Sequence, residues 1–239
     1  IRMTTDDETM HEKVLREALG LWHDMDMRES PPAMARKVHR MLREMTGVAD
    51  PYLEVKQRYN RLAMEMVDDL EETVAGSADR METAVRLAIA GNVIDFGVNS
   101  TVDESVVEGV IARSLTDPLD LDALIEFKVA IAEEIVFDRL LIEQMPRQKV
   151  TFVVRGGPIL NDALMADAEM VGMTDLVEVI DNGADAPGTI LEICSKAFRK
   201  RFEKADLIVS KGQGNFETLN DCERDIFFLL RPKCAVLAR

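Results

Sequence analysis

Cysteine, histidine and aromatic residues are scarce in this chain of 239 residues, which has 3 Cys, 3 His and 5% aromatic side chains. The cysteines are odd in number and show no Cys-x-x-Cys spacing, so we expect neither a disulfide framework nor a structural zinc site. His11, His23 and His39 all lie near the start of the chain. Their distance from the polar segments described below argues against Ser-His-Asp catalysis.

Positive charge is also in short supply, with 29 Lys+Arg against 44 Asp+Glu and a formal net charge of -15. Such a chain repels nucleic acid unless it segregates a basic patch, and the sequence suggests none, so we expect no nucleic-acid partner. No apolar run approaches the roughly 20 residues of a membrane span, and the first residues lack an apolar signal core. We therefore expect a soluble cytoplasmic protein with no membrane partner.

The hydrophobic fraction of 47% is enough for a continuous core. The chain begins with Ile1, so we expect the translation start to lie upstream. It ends directly after an apolar, strand-like stretch at 234–238. We expect further residues beyond it.

The first half of the chain has helical periodicity, because apolar residues from 6 to 91 recur three and four positions apart. Ser30 with two prolines opens one helix and Gly47 closes it, while Asp50-Pro51 opens the next and Gly76-Ser77 ends it. The many methionines are typical of adaptable core packing. We predict an all-helical N-terminal region over residues 1–123.

From residue 124 onward, β-rich runs alternate with helical ones. The predicted strands are 128–132, 149–155, 176–180 and 207–210, and the predicted helices run to 145, from 161, and over 186–204. Alternation of this kind favours a parallel sheet covered by helices, because parallel strands need helical crossovers. We predict an α/β fold with a Rossmann-like three-layer α/β/α domain and a mainly parallel sheet over residues 124–239.

Polar residues cluster where these strands end, and ligands of such sheets bind beyond the carboxyl ends of the strands. The segments concerned are 155–162, 181–189 and 210–217. Each has a structural explanation: Asp162 as a helix N-cap, the Asp181 segment as a turn, Lys211 as part of a solvated loop. Together they offer carboxylates and amides for a hard cation, with Arg155 and Lys211 for phosphate oxygens. We expect Asp162 to be exposed to this cleft.

Five motifs make the chain resemble the prokaryotic branch of the damage-control phosphatases, whose domain is shared with a protein reported as an acidic-residue methyltransferase. They lie, in order, at 91–97, 134–138, 154–162, 181–188 and 205–215. The resemblance implies a metal-dependent phosphatase that hydrolyses phosphate monoesters of small metabolites, such as sugar phosphates. It implies Mg, Mn, Co or Ni as the divalent cofactor and a small phosphorylated metabolite as the partner.

The resemblance also assigns roles to residues. Asp162 matches a metal ligand, Arg155 and Lys211 match basic positions at the phosphate, and Asn215 matches the Lys-Gly-x-x-Asn pattern. Arg155, Lys211 and Glu134 are the candidate catalytic residues. The candidate substrate-binding residues are Asn92, Asp95, Asn182, Asp185, Gly212 and Asn215.

One family feature is absent, since an Asp-Asn pair that holds the metal is not found after the first strand of the α/β domain. Ala132 runs directly into Glu133, and no turn or cap residue separates a strand pattern from a helix pattern. We expect about three residues beginning with Asp-Asn to be missing from the sequence at this join. A true deletion is the alternative, and it would remove two metal ligands.

Two other functions are compatible with the sequence. One is a non-catalytic protein that binds a phosphorylated metabolite, which a true deletion at this join would favour. The other is carboxyl methyl transfer, because a Rossmann-like sheet also holds nucleoside cofactors, although the Gly-x-Gly-x-x-Gly pattern is incomplete here: Glu217 stands where its last glycine would. The sequence carries no signal for the oligomeric state.

Overall fold

The computed structural model describes residues 1–93, 104–117, 130–131 and 135–230, without the side chains of 92–93, 104–106 and 130–131. The α-helices are α1 (Glu8–Asp24), α2 (Pro31–Thr46), α3 (Leu53–Glu65), α4 (Val67–Gly76), α5 (Arg80–Val93), α6 (Glu104–Thr116), α7 (Ile135–Glu143), α8 (Met165–Met170), α9 (Met173–Leu176), α10 (Lys196–Lys204) and α11 (Gln213–Leu219). The strands are β1 (Ala130–Ile131), β2 (Thr151–Val154), β3 (Glu178–Asp181), β4 (Ile208–Lys211) and β5 (Ile226–Leu229). Short 3-10 helices cover Arg147–Lys149 and Leu191–Ile193.

The five strands form one parallel sheet in the order β3-β2-β1-β4-β5. Because all strands run the same way, their carboxyl ends meet at one edge, which we call the carboxyl edge. The predicted mixed α/β class with a parallel sheet is confirmed. The three-layer arrangement and the division of the chain at residues 123 and 124 stay predictions.

Several predicted elements need correction at their bounds. The helix predicted from residue 161 begins at Met165, because residues 155–164 form a loop that returns to the end of β2. Most of the first ten residues of the helix predicted over 186–204 form a loop, and α10 begins only at Lys196. Strand β5 is an addition to the predicted set. The strand-like stretch at 234–238 lies outside the described residues.

The bounds of helix α2 agree with the start and stop residues that the sequence predicted for it. It begins at Pro31 after the N-cap Ser30, and it ends at Thr46 before the C-cap Gly47, whose φ of 71° is left-handed. Glycine reaches this conformation without the strain that a Cβ adds, and its N–H donates to the Arg43 carbonyl. In the described ranges, no helix is both long and apolar enough to cross a membrane.

The main hydrophobic core joins the early helices to one face of the sheet. Leu87 of α5 and Phe137 of α7 are packed in the same cluster as Phe152 of β2 and Val209 of β4, and each is at most 1% exposed. A smaller core on the other face contains Phe198 and other residues around α10. The early helices and the sheet therefore share buried apolar surface.

We predict that Phe152→Ala lowers the free energy of unfolding by about 4 kcal/mol, because it empties a fully buried site in the main core. Urea denaturation measures the change. The matched control is Leu19→Ala on α1, where the side chain is 71% exposed and the expected cost is under about 0.5 kcal/mol. Equal effects of the two substitutions would contradict the assignment of Phe152 to the core.

Candidate active site

Arg155 follows β2 at the carboxyl edge and is 2% exposed. Its Nε donates to Asp162 Oδ2 at 2.6 Å, and its Nη1 donates to the Gly188 carbonyl at 2.9 Å. Nη1 also lies 3.2 Å from Thr189 Oγ1, and Nη2 donates to Asn215 Oδ1 at 3.2 Å. One guanidinium thus ties together the segments that follow β2, β3 and β4.

Asp162 is 2% exposed, so the expectation that it is open to a cleft is wrong. Nor does it cap a helix, since the N-cap of α8 is Leu164. Burial raises the pKa of Asp162, and the Arg155 guanidinium and the nearby Lys56 ammonium act against that rise. The carboxylate is held as the ion-pair partner of Arg155.

Two close backbone approaches bring these segments together. A Cβ on Gly156 would lie 2.4 Å from the Gly183 Cα, and one on Gly214 would lie 1.8 Å from the Pro187 carbonyl oxygen. Both positions therefore require glycine. The Asn182 side chain links the segments that contain Gly156 and Gly183, since its Oδ1 accepts hydrogen bonds from the N–H groups of Gly156 and Ala184 at 3.1 and 2.9 Å.

Lys211, the last residue of β4, is fully buried and not part of a solvated loop. Its ammonium donates to Asp138 Oδ1 on α7, and its carbonyl accepts from Asn215 Nδ2 at 2.7 Å. Burial raises the pKa of Asp138, and the Lys211 charge opposes that rise. Gly212 follows with φ 84° and is the N-cap of α11, the helix that carries Asn215.

Asp185 lies in the segment after β3 and binds three arginines of α2. Arg36 Nε and Arg40 Nη2 donate to Oδ1 at 2.7 and 2.9 Å. Arg40 Nε and Arg43 Nη2 donate to Oδ2 at 2.7 and 2.6 Å. Burial acts to raise the pKa of Asp185, but the hydrogen bonds from the three guanidiniums outweigh it and hold this pKa well below its usual range. A carboxylate held ionised in this way is a poor general acid near neutral pH.

The described residues do not by themselves complete a site for a divalent cation. Across these ranges no group of three or more His, Cys, Asp and Glu side chains is arranged to hold a metal. Three buried polar atoms near the carboxyl edge lack a described hydrogen-bond partner: Asp138 Oδ2, Asn182 Nδ2 and Ser210 Oγ. Ser210 and Lys211 are successive strand residues that point to opposite faces. Ser210 Oγ and the Asp138 carboxylate thus do not form one donor set.

The structure brings most of the predicted site residues to one edge. Arg155, Asp162, Asn182, Asp185, Lys211, Gly212 and Asn215 all lie on the three segments that follow β2, β3 and β4 or at the end of β4. Asp95, Glu134 and the join after Ala132 lie outside the described residues. Asn92 is the penultimate residue of α5, and its side chain is outside them too.

Three features of the site were not predicted from the sequence: Asp138 as the partner of Lys211, Thr189 as a partner of Arg155, and the arginines of α2. The arginine cluster could have been predicted from the sequence, because a spacing of four and three residues places these side chains on one helix face. The expectation that no basic cluster exists therefore needs correction, although a small cluster of this kind does not indicate a nucleic-acid partner.

The whole chain, residues 1–239, matches the sequence profile of the damage-control phosphatase ARMT1-like domain. The chain belongs to the damage-control phosphatase family. It is 36% identical over 254 aligned positions to a damage-control phosphatase of Archaeoglobus fulgidus, with 100% of this chain and 88% of that protein covered. A damage-control phosphatase of Pyrococcus horikoshii is 33% identical over 256 positions, with the same coverage of 100% and 88%.

Comparison with a crystal structure supports the same family relationship. The DUF89 family protein of Pyrococcus horikoshii superposes with a TM-score of 0.86 and 31% identity, covering 100% of this chain and 88% of that one. An uncharacterized protein of Methanocaldococcus jannaschii is 34% identical over 257 positions, covering 98% of this chain and 84% of its own length. These alignments are longer than the 239 residues here, so the relatives have positions that align with no residue of this sequence. The family indicates a hydrolase that acts on phosphorylated metabolites.

We predict that Asp185→Asn lowers the Tm at pH 7, because three guanidiniums lose their counter-charge at a cost of about 2 kcal/mol. The folded-state pKa of Asp185 is depressed, so its contribution to stability is complete above the unfolded pKa of about 3.9 and is lost as pH falls below it. The Tm difference between wild type and variant should therefore be constant from pH 8 to about 5 and shrink towards pH 3.

Thermal melts at these pH values measure that difference. Asp221→Asn is the control, since it removes an exposed carboxylate that forms no ion pair with these arginines in the described ranges. A difference for Asp185→Asn that is as large at pH 3 as at pH 7 would overturn the electrostatic explanation.

Proposed function

We propose that this protein is a divalent-metal-dependent phosphatase that hydrolyses phosphate monoesters of small metabolites, such as sugar phosphates, in the cytoplasm. The observation that carries the proposal is the buried Arg155 network at the carboxyl edge of a parallel sheet, in a chain of the damage-control phosphatase family. This edge is where ligands of open α/β sheets bind.

The chain's own groups suit an incoming phosphate. Gly156, Gly157 and Gly183 remain partly accessible at the rim of the edge, and their small size lets an anion approach the backbone closely. The buried Asn182 Nδ2 has no hydrogen-bond partner in the described ranges, so it is a donor that a phosphate oxygen could satisfy. Arg155 holds the three segments in place through its hydrogen bonds to Asp162, Gly188 and Asn215.

Hydrolysis requires a water oxygen to attack phosphorus while the ester P–O bond breaks and the alcohol leaves with a proton. Asp181, the last residue of β3, is exposed at the carboxyl edge, with its Oδ1 2.8 Å from the Gly183 nitrogen. We propose it as the proton-transfer group among the described residues. Glu134 stays a second candidate, since it lies outside them.

The divalent cation, Mg, Mn, Co or Ni, is proposed on the strength of the family alone. The described residues provide Asp162 as the candidate carboxylate ligand, and its Oδ2 already pairs with Arg155. Ligands additional to Asp162 are therefore required.

The second candidate function is binding of a phosphorylated metabolite without turnover. It is favoured by the pairing of both central cations, Arg155 with Asp162 and Lys211 with Asp138, which lowers the net charge available to a transition state. Release of inorganic phosphate from a sugar phosphate separates the two functions. No observation favours carboxyl methyl transfer.

We predict that Mn²⁺ raises the Tm of chelator-treated wild-type protein, since a cation that binds only the folded state stabilises it. Asp162→Asn should abolish this rise and lower kcat by at least about 100-fold. Asparagine is preferred to alanine because it keeps an acceptor for Arg155 Nε, and circular dichroism should show a folded variant.

Asp175→Asn is the matched control for this test, because Asp175 is an exposed carboxylate on α9, which leads into the opposite edge of the sheet. It should keep the Tm rise and the activity. A full Tm rise in Asp162→Asn would remove Asp162 from the metal site.

We predict that Lys211→Met lowers the free energy of unfolding by about 3 kcal/mol, because it leaves the buried Asp138 unpaired. The double substitution Lys211→Met with Asp138→Leu removes both charges and should be more stable than the single variant. If Lys211 acts on the phosphate, the double variant should still lose roughly two to three orders of magnitude in kcat/KM.

Urea denaturation and steady-state kinetics on a sugar phosphate at saturating metal measure the two effects separately. A stable double variant with wild-type kcat/KM would restrict Lys211 to a structural ion pair.

A further inference from the structure

The arginine cluster of α2, which we define as Arg36, Arg40 and Arg43, carries more positive charge than its partner Asp185 neutralises. Three guanidiniums surround one carboxylate. Glu44, one turn after Arg40, also acts on the Arg40 charge. Cations therefore outnumber anions here, in a chain whose formal net charge is -15.

The cluster also has donors left for a ligand. Among the described residues its hydrogen bonds go to the Asp185 carboxylate and to the Pro158 carbonyl, which Arg43 Nη1 reaches at 2.6 Å. A guanidinium carries more N–H groups than these contacts use. The Arg40 side chain is 49% exposed, so at least this guanidinium is open to solvent.

The position of the cluster places these donors beside the candidate active site. Pro158 belongs to the loop between Arg155 and Asp162, and Asp185 belongs to the segment between Asn182 and Thr189. The two loops are in contact, since a Cβ on Gly157 would lie 3.1 Å from the Asp185 Cβ. Helix α2 also packs against α11, which carries Asn215. The cluster thus forms part of the rim around the carboxyl edge.

We propose that the arginine cluster is a second anion subsite, which selects phosphate monoesters that carry a further anionic group, either a second phosphate or a carboxylate. This rests on the proposed function for its catalytic meaning. The scissile phosphate lies at the strand ends, and the distal anion accepts hydrogen bonds from the N–H groups of the arginine cluster, Arg40 above all. Bidentate guanidinium contacts suit both phosphate and carboxylate.

The test compares three probes of similar size: glucose 6-phosphate, glucose 1,6-bisphosphate and 6-phosphogluconate. Calorimetric titration of each into wild-type protein should show the two probes that carry a second anionic group binding at least about tenfold more tightly than glucose 6-phosphate. Arg40→Gln should reduce that ratio to near one. The probe with the greater wild-type preference distinguishes a distal phosphate from a distal carboxylate.

Arg28→Gln is the control, since Arg28 is an exposed arginine that also pairs with one carboxylate, Asp26, and it should keep the wild-type ratio. Arg36→Gln repeats the test if Arg40→Gln is not folded by circular dichroism. Equal wild-type binding of all three probes, or an unchanged ratio in a folded variant, overturns the subsite.

Turnover is scored separately as phosphate release with saturating Mn²⁺. The wild-type preference should appear mainly in KM and should be lost in Arg40→Gln. If no probe is hydrolysed while the binding ratio depends on Arg40, the phosphatase proposal fails and the subsite stands. If glucose 6-phosphate is hydrolysed without any binding ratio, the subsite fails and the phosphatase stands.

Discussion

The burial of the Arg155 guanidinium is the constraint on which the carboxyl edge depends. A buried cation is costly unless its N–H groups find acceptors, and here Asp162, Gly188, Thr189 and Asn215 supply them. Those acceptors come from three separate segments, so the loops cannot move apart without exposing an unpaired charge. The geometry of the edge is therefore fixed before any ligand arrives.

Local backbone features follow from this arrangement. The loop after β2 must turn back quickly to bring Asp162 to Arg155, and Leu160 takes a φ of 45° within it. A left-handed conformation costs a residue with a Cβ about 1 kcal/mol or more. The ion pair and the hydrogen bond from Arg155 N–H to the Ala163 carbonyl, 2.9 Å long, hold the loop in place. Strain at Leu160 is thus offset by contacts at both ends of the same loop.

The sequence predicted local features well and long-range partners poorly. Ser30 and Gly47 bound α2 because capping depends on neighbouring residues, and the alternation of strands and helices predicted the parallel sheet. By contrast, Lys211 is buried because Asp138 lies 73 positions earlier on α7, and no local pattern reports such a pairing. The helix expected from residue 161 begins only at Met165, because Asp162 lies in the loop that returns to the buried Arg155 and pairs with it.

The arginine cluster shows why helix α2 cannot be separated from the candidate site. Arg155 and Lys211 are each neutralised by one carboxylate within the sheet and its helices, so neither adds net charge to the edge. The excess positive charge comes instead from α2, more than a hundred residues earlier in the chain than its partner Asp185. An anion that approaches this acidic protein is therefore attracted locally by a helix outside the sheet. The same helix fixes the two loops beneath it, which makes the docking of α2 a condition for both the shape and the charge of the site.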